Sequence, residues 1–165
     1  MKKNIWQSIP VLAAVTLMSM SFTKVVDHAN FGGEWKLNEA KSELGNFGRF
    51  AAHTIKVDQK DDAITIAKTA PSFQGGDATT TETLTFDGKE TESTVFGNSP
   101  KKSSAKWSDD GQTLTISYLI TFERDGQTSE IKGTETWSLK DGSLSIVTNS
   151  TSSRGETTTK AIYNK

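Results

Sequence analysis

The sequence predicts an all-β protein, an up-and-down antiparallel β-barrel of about 8–10 strands that follows a signal peptide. Three observations predict this class. Runs rich in Thr, Ile, Val and Phe recur from residue 33 onward, turn signals such as Asp110-Gly111 separate them, and an apolar leader precedes them. No run keeps a helical period, except that NEAKSELG (38–45) allows a turn or two of helix.

The first 21 residues have the pattern of a secretory leader. Met1-Lys2-Lys3 is basic, and the apolar run 9–22 is too short to span a bilayer comfortably. Ser19 and Ser21 place small residues where a signal peptidase reads, so we expect cleavage after Ser21. The expected parts are a signal peptide (1–21), a linker (22–30) and a barrel domain (31–165). We expect a periplasmic or secreted protein without stable membrane insertion after cleavage, the alternative being an uncleaved N-terminal anchor.

Composition excludes several function classes. The chain has 165 residues, a formal net charge of −1 and no cysteine. Nothing in this balance attracts nucleic acid or an anionic membrane surface. The lack of cysteine excludes disulfides, thiol catalysis, thiolate metal sites and a lipid-modified cysteine. The part after the leader is of ordinary size for one domain with a single core, and we expect it to be a monomer.

Two-residue turns between the predicted strands fix the strand register. Asp-Gly pairs supply the positive φ values that type I′ hairpins require. In the resulting register Leu114 faces Trp137, Ile116 faces Glu135, and Ile146 faces Tyr163 across Arg154-Gly155. The ten expected strands are 33–38, 53–60, 63–69, 79–86, 89–96, 103–109, 112–124, 127–140, 143–151 and 156–164.

Reading this register across five strands gives rows of side chains that change in character. The first row is large and apolar: Trp107, Leu114, Trp137, Ile146 and Tyr163. The next two rows are small and partly polar: Ala105, Ile116, Glu135, Thr148 and Ala161, then Ser103, Tyr118, Gly133, Ser150 and Thr159. A solid core would continue with bulky side chains, so the thinning predicts space for a ligand or water.

The lengths of the turns distinguish the two ends of the predicted barrel. One end receives only tight connections: 61–62, 87–88, 110–111 and 141–142. The other end receives the long ones: 39–52, 70–78 and 97–102. The bulky row lies at the tight-turn end, where strand 33–38 also starts, so this end is closed. The residues expected to close it are Gly33, Trp35, Trp107, Trp137 and Tyr163, with Gly33 letting the backbone pass close beneath Trp35.

Gly33-Glu34-Trp35 on the first strand, followed by a meander with long loops at one mouth, resembles the calycin group of lipocalins, fatty-acid-binding proteins and lipocalin-like domains. The run FGGEWKLNEAKSE (31–43) resembles the start of such domains in secreted proteins of the Bacteroidetes type. The resemblance implies a barrel that holds a small molecule. Lipocalins usually carry a basic residue, commonly arginine, on the last strand against the tryptophan, for which this chain offers only Lys160 or Lys165. Fatty-acid-binding proteins have a helical pair after strand one and inward arginines, whereas the short segment here holds only Arg49.

The inward-facing positions suggest what kind of ligand the barrel binds. A hydroxyl (Tyr118), a carboxylate (Glu135) and an ammonium (Lys68) inside a half-apolar cavity can orient an amphipathic molecule. Alternatively, Lys68 and Glu135 pair with each other or with internal water. The cavity candidates are Ile55, Ile66, Lys68, Ile116, Tyr118, Phe122, Ile131 and Glu135. The mouth candidates are Arg49, Phe73 and Arg124, whose arginines either attract an anionic head group or are solvated rim charges.

These features predict non-catalytic binding of a small apolar or amphipathic molecule, without a cofactor or metal. His28 and His53 are not spaced to hold a metal ion. The catalytic alternative is a carboxylate pair of Glu82 and Glu135, the arrangement that glycoside hydrolysis uses. The structural alternative is a barrel with a filled interior and a functional outer surface, which a cavity below about 300 Å³ would favour.

Overall fold

The computed structural model describes residues 26–72, 75–124 and 126–165. The predicted signal peptide at 1–21 lies outside these residues, as does Phe73. Within them the backbone forms ten β-strands and two short 3-10 helices, Glu39–Lys41 and Gly45–Phe50. No helix in the described ranges is long and apolar enough to cross a membrane.

The ten strands form one antiparallel sheet that curls into a nearly closed barrel. The strands are β1 (Gly33–Leu37), β2 (Thr54–Gln59), β3 (Ala63–Pro71), β4 (Asp77–Thr85), β5 (Thr91–Val95), β6 (Ser99–Trp107), β7 (Thr113–Arg124), β8 (Gln127–Lys140), β9 (Ser143–Ser152) and β10 (Gly155–Asn164). Their order is β4-β3-β2-β1-β10-β9-β8-β7-β6-β5. β4 and β5 are therefore the sheet edges, and they contact each other where the barrel closes. The predicted fold class is confirmed.

The register predicted from the turns is confirmed for β6 through β9. Leu114 pairs with Trp137 and Ile116 with Glu135, as the Asp-Gly turns require. Alternating side chains along each strand then point into the barrel, and the inward set includes the buried cluster of tryptophan, isoleucine and leucine side chains.

The register predicted for the last hairpin was wrong by two residues. Ile146 pairs with Ala161, whereas Tyr163 pairs with Leu144. The reason is that Ser152 pairs with Gly155, so the two-residue turn is 153–154. Its backbone is supported by the Ser152 hydroxyl, which accepts a hydrogen bond from the Arg154 amide at 3.2 Å. A shift of two residues keeps every side chain on its predicted face but moves it to another row.

The connection between β5 and β6 is shorter than the long loop predicted at 97–102. Val95 pairs with Ser99, so β6 begins at Ser99. Lys101, expected in the loop, therefore becomes an inward-facing strand residue that is 7% exposed. The long connections in the described chain are 38–53 and the segment around the undescribed residues 73–74.

Aromatic side chains fill the closed end of the barrel. Trp35, Trp137 and Phe31 are almost completely buried. The Phe31 ring stacks on Trp107 with 5.6 Å between centroids and meets Trp137 edge to face at 5.9 Å. The indole N–H of Trp35 donates to the Phe31 carbonyl oxygen at 2.7 Å. These contacts join β1, β6 and β8 to the residues that precede β1.

Lys165 supplies the basic group against the first-strand tryptophan. Its ammonium lies 5.0 Å from the centre of the Trp35 ring, within reach of a cation–π interaction. A Cβ atom on Gly33 would lie 3.3 Å from Cε of the same lysine. Gly33 therefore leaves room for the Lys165 side chain beside Trp35.

Residues 26–30, expected to belong to a linker, lie against the closed end. The His28 ring stacks on Trp107 at 4.6 Å. The Gln59 side chain donates to the carbonyl oxygen of Ala29 at 2.8 Å and accepts from the amide of Phe31 at 2.9 Å. The amide of Ala29 donates to the carbonyl oxygen of Gly111 at 2.9 Å. The segment therefore covers the barrel floor.

Replacing Gly111 by alanine should destabilise the protein more than replacing Gly142. Both glycines have φ near +70°, a conformation in which alanine lowers the free energy of unfolding by about 1–2 kcal/mol. A Cβ on Gly111 would also lie 2.6 Å from Cγ1 of Val26, whereas Gly142 has nothing within 4 Å. We expect a further loss of about 1–3 kcal/mol for Gly111→Ala, measured by urea unfolding. Equal losses would contradict the packing of residues 26–30 beneath the floor.

Candidate functional site

Two ion pairs cross the barrel interior above the aromatic floor. Lys68 Nζ on β3 lies 2.6 and 2.7 Å from the two carboxylate oxygens of Glu135 on β8. Lys101 Nζ on β6 lies 2.7 and 2.9 Å from those of Glu82 on β4. The side chains of the second pair are 8% and 9% exposed, and those of the first are 21% and 13% exposed. Among the described residues, the interior therefore holds two cations and two anions, and each cation is paired with an anion.

Strand alternation places these charges inside. Lys68 follows the buried Ile66 by two residues, and Glu135 precedes the buried Trp137 by two. Glu82 precedes the buried Leu84 in the same way. The pairing of Lys68 with Glu135 is the arrangement that the sequence left open as an alternative to ligand contact.

The electrostatic environment of Glu135 favours its ionised form. Burial by itself would raise the pKa of this carboxyl group, but the ammonium groups of Lys68 and Lys101 outweigh burial. Hydrogen bonds from Lys68 and from the indole N–H of Trp137, the latter at 2.9 Å, act in the same direction. The pKa is lowered from 4.5 to about 2, so Glu135 stays charged at neutral pH.

Tyr118 lies beside both ion pairs. Its ring covers Gly133, because a Cβ on that glycine would lie 2.6 Å from the phenol oxygen. The ammonium of Lys101 lies 5.4 Å from the ring centre. Burial and the nearby Glu135 charge raise the tyrosine pKa to about 12, against the effect of a hydrogen bond with Ser150. Tyr118 is therefore a neutral hydroxyl in this network.

A cavity of about 160 Å³ opens beside the network. Four hydroxyl side chains of β9 and β10 line it: Thr148, Ser150, Thr157 and Thr159. Thr148 pairs directly with Glu135, so the cavity adjoins the first ion pair. Its volume is about that of five water molecules and lies below the roughly 300 Å³ of typical ligand sites.

The predicted cavity residues fall into three groups. Ile55, Ile66 and Ile116 belong to the buried hydrophobic cluster with the floor tryptophans. Lys68, Tyr118 and Glu135 form the polar network. Phe122 and Ile131 lie half-buried nearer the open end, where the Phe122 ring stacks on Phe96 at 5.9 Å.

The sequence did not predict that threonine and serine hydroxyls line the cavity, although it placed Thr148, Ser150 and Thr159 in the inward-facing rows. Their small size on the inward face was the available signal. Lys101 and Ser103 were also missed as partners of Glu82, whose carboxylate accepts from the Ser103 hydroxyl at 3.1 Å.

The mouth candidates are only partly described. The Arg49 guanidinium lies 4.6 Å from the centre of the Phe50 ring, in the 38–53 connection at the open end. The side chain of Arg124 and the whole of Phe73 lie outside what the structure describes. At the same end, His53 Nε2 lies 3.0 Å from an Asp77 carboxylate oxygen, which links the residue before β2 to the first residue of β4.

A broad, open depression with a volume of about 930 Å³ extends across β6 to β10; we call it the outer concave surface. Most of its lining residues alternate with the inward positions and therefore face outward. They include Lys102, Leu119, Lys132, Thr151 and Glu156 in one row, and Ser104, Ser117, Thr134, Asn149 and Thr158 in the next. Most of these side chains are polar, and they carry charges of both signs.

The described residues contain no group of three or more His, Cys, Asp or Glu side chains that could hold a metal ion. The two interior carboxylates, Glu82 and Glu135, are each engaged by a lysine. The arrangement can therefore orient a polar group through hydroxyls and a charge-balanced network.

The chain matches no protein-family model and no curated protein sequence. It is similar in structure to zebrafish ileal bile acid-binding protein complexed with cholic acid, with a TM-score of 0.52 and 16% sequence identity. The match covers 82% of this chain and 98% of the zebrafish chain. Together with the antiparallel strand order, this likeness identifies the fold as a nearly closed, calycin-like barrel.

Proposed function

We propose that the protein binds a small amphipathic molecule non-covalently inside the barrel and does not catalyse a reaction. The observation that carries this proposal is the charge network beside a hydroxyl-lined cavity in a barrel interior. Buried ion pairs are often no more stabilising than apolar side chains of similar volume. A contribution to stability alone therefore does not explain why four charged side chains lie in the barrel interior.

The arrangement along the barrel axis suits an amphipathic molecule. The hydroxyl-lined cavity adjoins Glu135 in the middle of the barrel, and the apolar side chains of Phe122 and Ile131 lie nearer the mouth. A polar head group fits the small cavity, while an apolar tail lies toward the open end. The structural neighbour, a bile acid-binding protein, agrees with this type of ligand.

We also propose that the mature chain begins at Phe22 and is periplasmic or secreted, in the manner of the secreted Bacteroidetes-type domains. The basic start, the apolar run 9–22 and the absence of cysteine support this. We propose a monomer as its working state.

Filling the cavity should abolish binding. We expect native mass spectrometry of the protein, after incubation with a lipid extract of the expression host, to detect a bound molecule and the mass of the mature chain. Thr159→Leu should reduce the bound fraction at least about tenfold because leucine occupies the head-group space. Thr151→Leu, on the outer face of β9, is the matched control and should bind as the wild type does.

The second candidate function is a filled barrel that acts through its outer surface, which the small cavity volume favours. Absence of any bound molecule from the wild-type protein would support this candidate and overturn the first. Loss of binding in Thr151→Leu but not in Thr159→Leu would place the ligand on the outer concave surface instead.

A further inference from the structure

We infer that the barrel interior selects molecules with an uncharged polar head group, such as an alcohol, over carboxylates of the same length. This inference rests on the proposed function and adds the chemical class of the head group. Its basis is that both interior ammonium groups, those of Lys68 and Lys101, are already held by interior carboxylates.

A ligand carboxylate would find no available cation in the described interior. It loses hydration when it enters the barrel, and that loss must be offset by a positive charge or by several hydrogen-bond donors. Each interior lysine contacts both oxygens of its glutamate at 2.6–2.9 Å. Separating a pair would leave a buried glutamate without its cation.

The glutamates are also held by other groups. The Trp137 indole N–H donates to Glu135 and the Ser103 hydroxyl donates to Glu82. The two fixed anions would repel a third carboxylate in this space, and that carboxylate would give a balanced network a net negative charge. The network therefore opposes an anionic head group.

An uncharged hydroxyl meets none of these obstacles. Thr148, Ser150, Thr157 and Thr159 offer oxygens that both donate and accept hydrogen bonds. An alcohol can exchange water for these partners without moving either ion pair. Arg49 does not supply the missing cation, because it is exposed at the mouth and lies against Phe50.

The test compares 1-octanol with octanoate, which differ in head-group charge at pH 7.5. We expect isothermal titration calorimetry to give at least about tenfold tighter binding of octanol by the wild-type protein, since an unpaired buried charge is disfavoured by more than this factor. Glu135→Gln releases the Lys68 ammonium and should lower the octanol-to-octanoate affinity ratio at least about tenfold. Glu82→Gln releases Lys101 in the same way and provides a second variant if Glu135→Gln does not fold.

Glu34→Gln is the matched control, because it removes the same charge from an exposed pair with Lys56 at 3.3 Å. Its affinity ratio should equal that of the wild type. Equal or tighter wild-type binding of octanoate would overturn the inference but leave the proposed function intact. Binding of neither probe by the wild type or the variants would overturn both.

Discussion

Glu135→Gln is expected to lower the free energy of unfolding at pH 7 by about 3–5 kcal/mol. The substitution leaves the ammonium of Lys68, which is 21% exposed, without its carboxylate partner inside the barrel. It also weakens the hydrogen bond that the Trp137 indole donates to the carboxylate. The loss therefore comes mainly from a buried cation that no longer has an anion.

The same substitution should remove part of the acid sensitivity of the protein. The pKa of Glu135 is lowered from 4.5 to about 2 on folding, which corresponds to about 3 kcal/mol at 1.36 kcal/mol per pKa unit. Because the folded pKa is the lower one, this stabilisation is fully present above about pH 4.5. It is lost as the pH falls toward 2, where the unfolded chain binds the proton first.

Urea unfolding monitored by tryptophan fluorescence between pH 7 and pH 2.5 measures both effects. The wild type should lose stability over this interval more steeply than Glu135→Gln, and Glu34→Gln should follow the wild type. The double variant Lys68→Met/Glu135→Leu should recover most of the loss, since apolar replacement of a buried pair is often neutral or stabilising. Parallel pH curves for the wild type and Glu135→Gln would show that this carboxylate is not the buried, lysine-bound group described above.

The sequence predicted the barrel architecture because the information is local. Asp-Gly turns set the hairpin register, and strict alternation then determined which side chains face inward. The register predicted for the last hairpin was wrong because Arg154-Gly155 resembles those turns, whereas the chain reverses one residue earlier. The error kept Tyr163 on the inward face but assigned it the wrong neighbour.

The polar site could be predicted only in part. Lys68, Glu82 and Glu135 were placed inside by alternation along their own strands. The pairing of Lys101 with Glu82 joins β6 to β4, which lie near opposite edges of the sheet in strand order and meet only when the barrel closes. No hairpin register extends across that junction, so the sequence carries no local signal for this contact.

The floor of the barrel depends on a segment without any periodic pattern. Residues 26–30 lack the alternation of a strand, so their sequence reads as a linker. Their place is set by contacts with distant residues, among them the His28 ring on Trp107 and the Gln59 side chain on Ala29. Such tertiary contacts have no counterpart in a window of sequence.

Phe31→Ala is therefore expected to be strongly destabilising, although Phe31 precedes the first strand. Its side chain is fully buried, stacks on Trp107 and meets Trp137 edge to face. Loss of a buried phenylalanine side chain costs about 3–5 kcal/mol, and the aromatic pairs place this one in the upper half of that range.

Urea unfolding of Phe31→Ala and of Leu139→Ala, whose side chain is 39% exposed, measures the difference. The leucine variant should change the free energy of unfolding by less than about 1 kcal/mol. A similarly small change in the free energy of unfolding of Phe31→Ala would mean that the strands alone close this end of the barrel and that residues 26–31 add little to its packing.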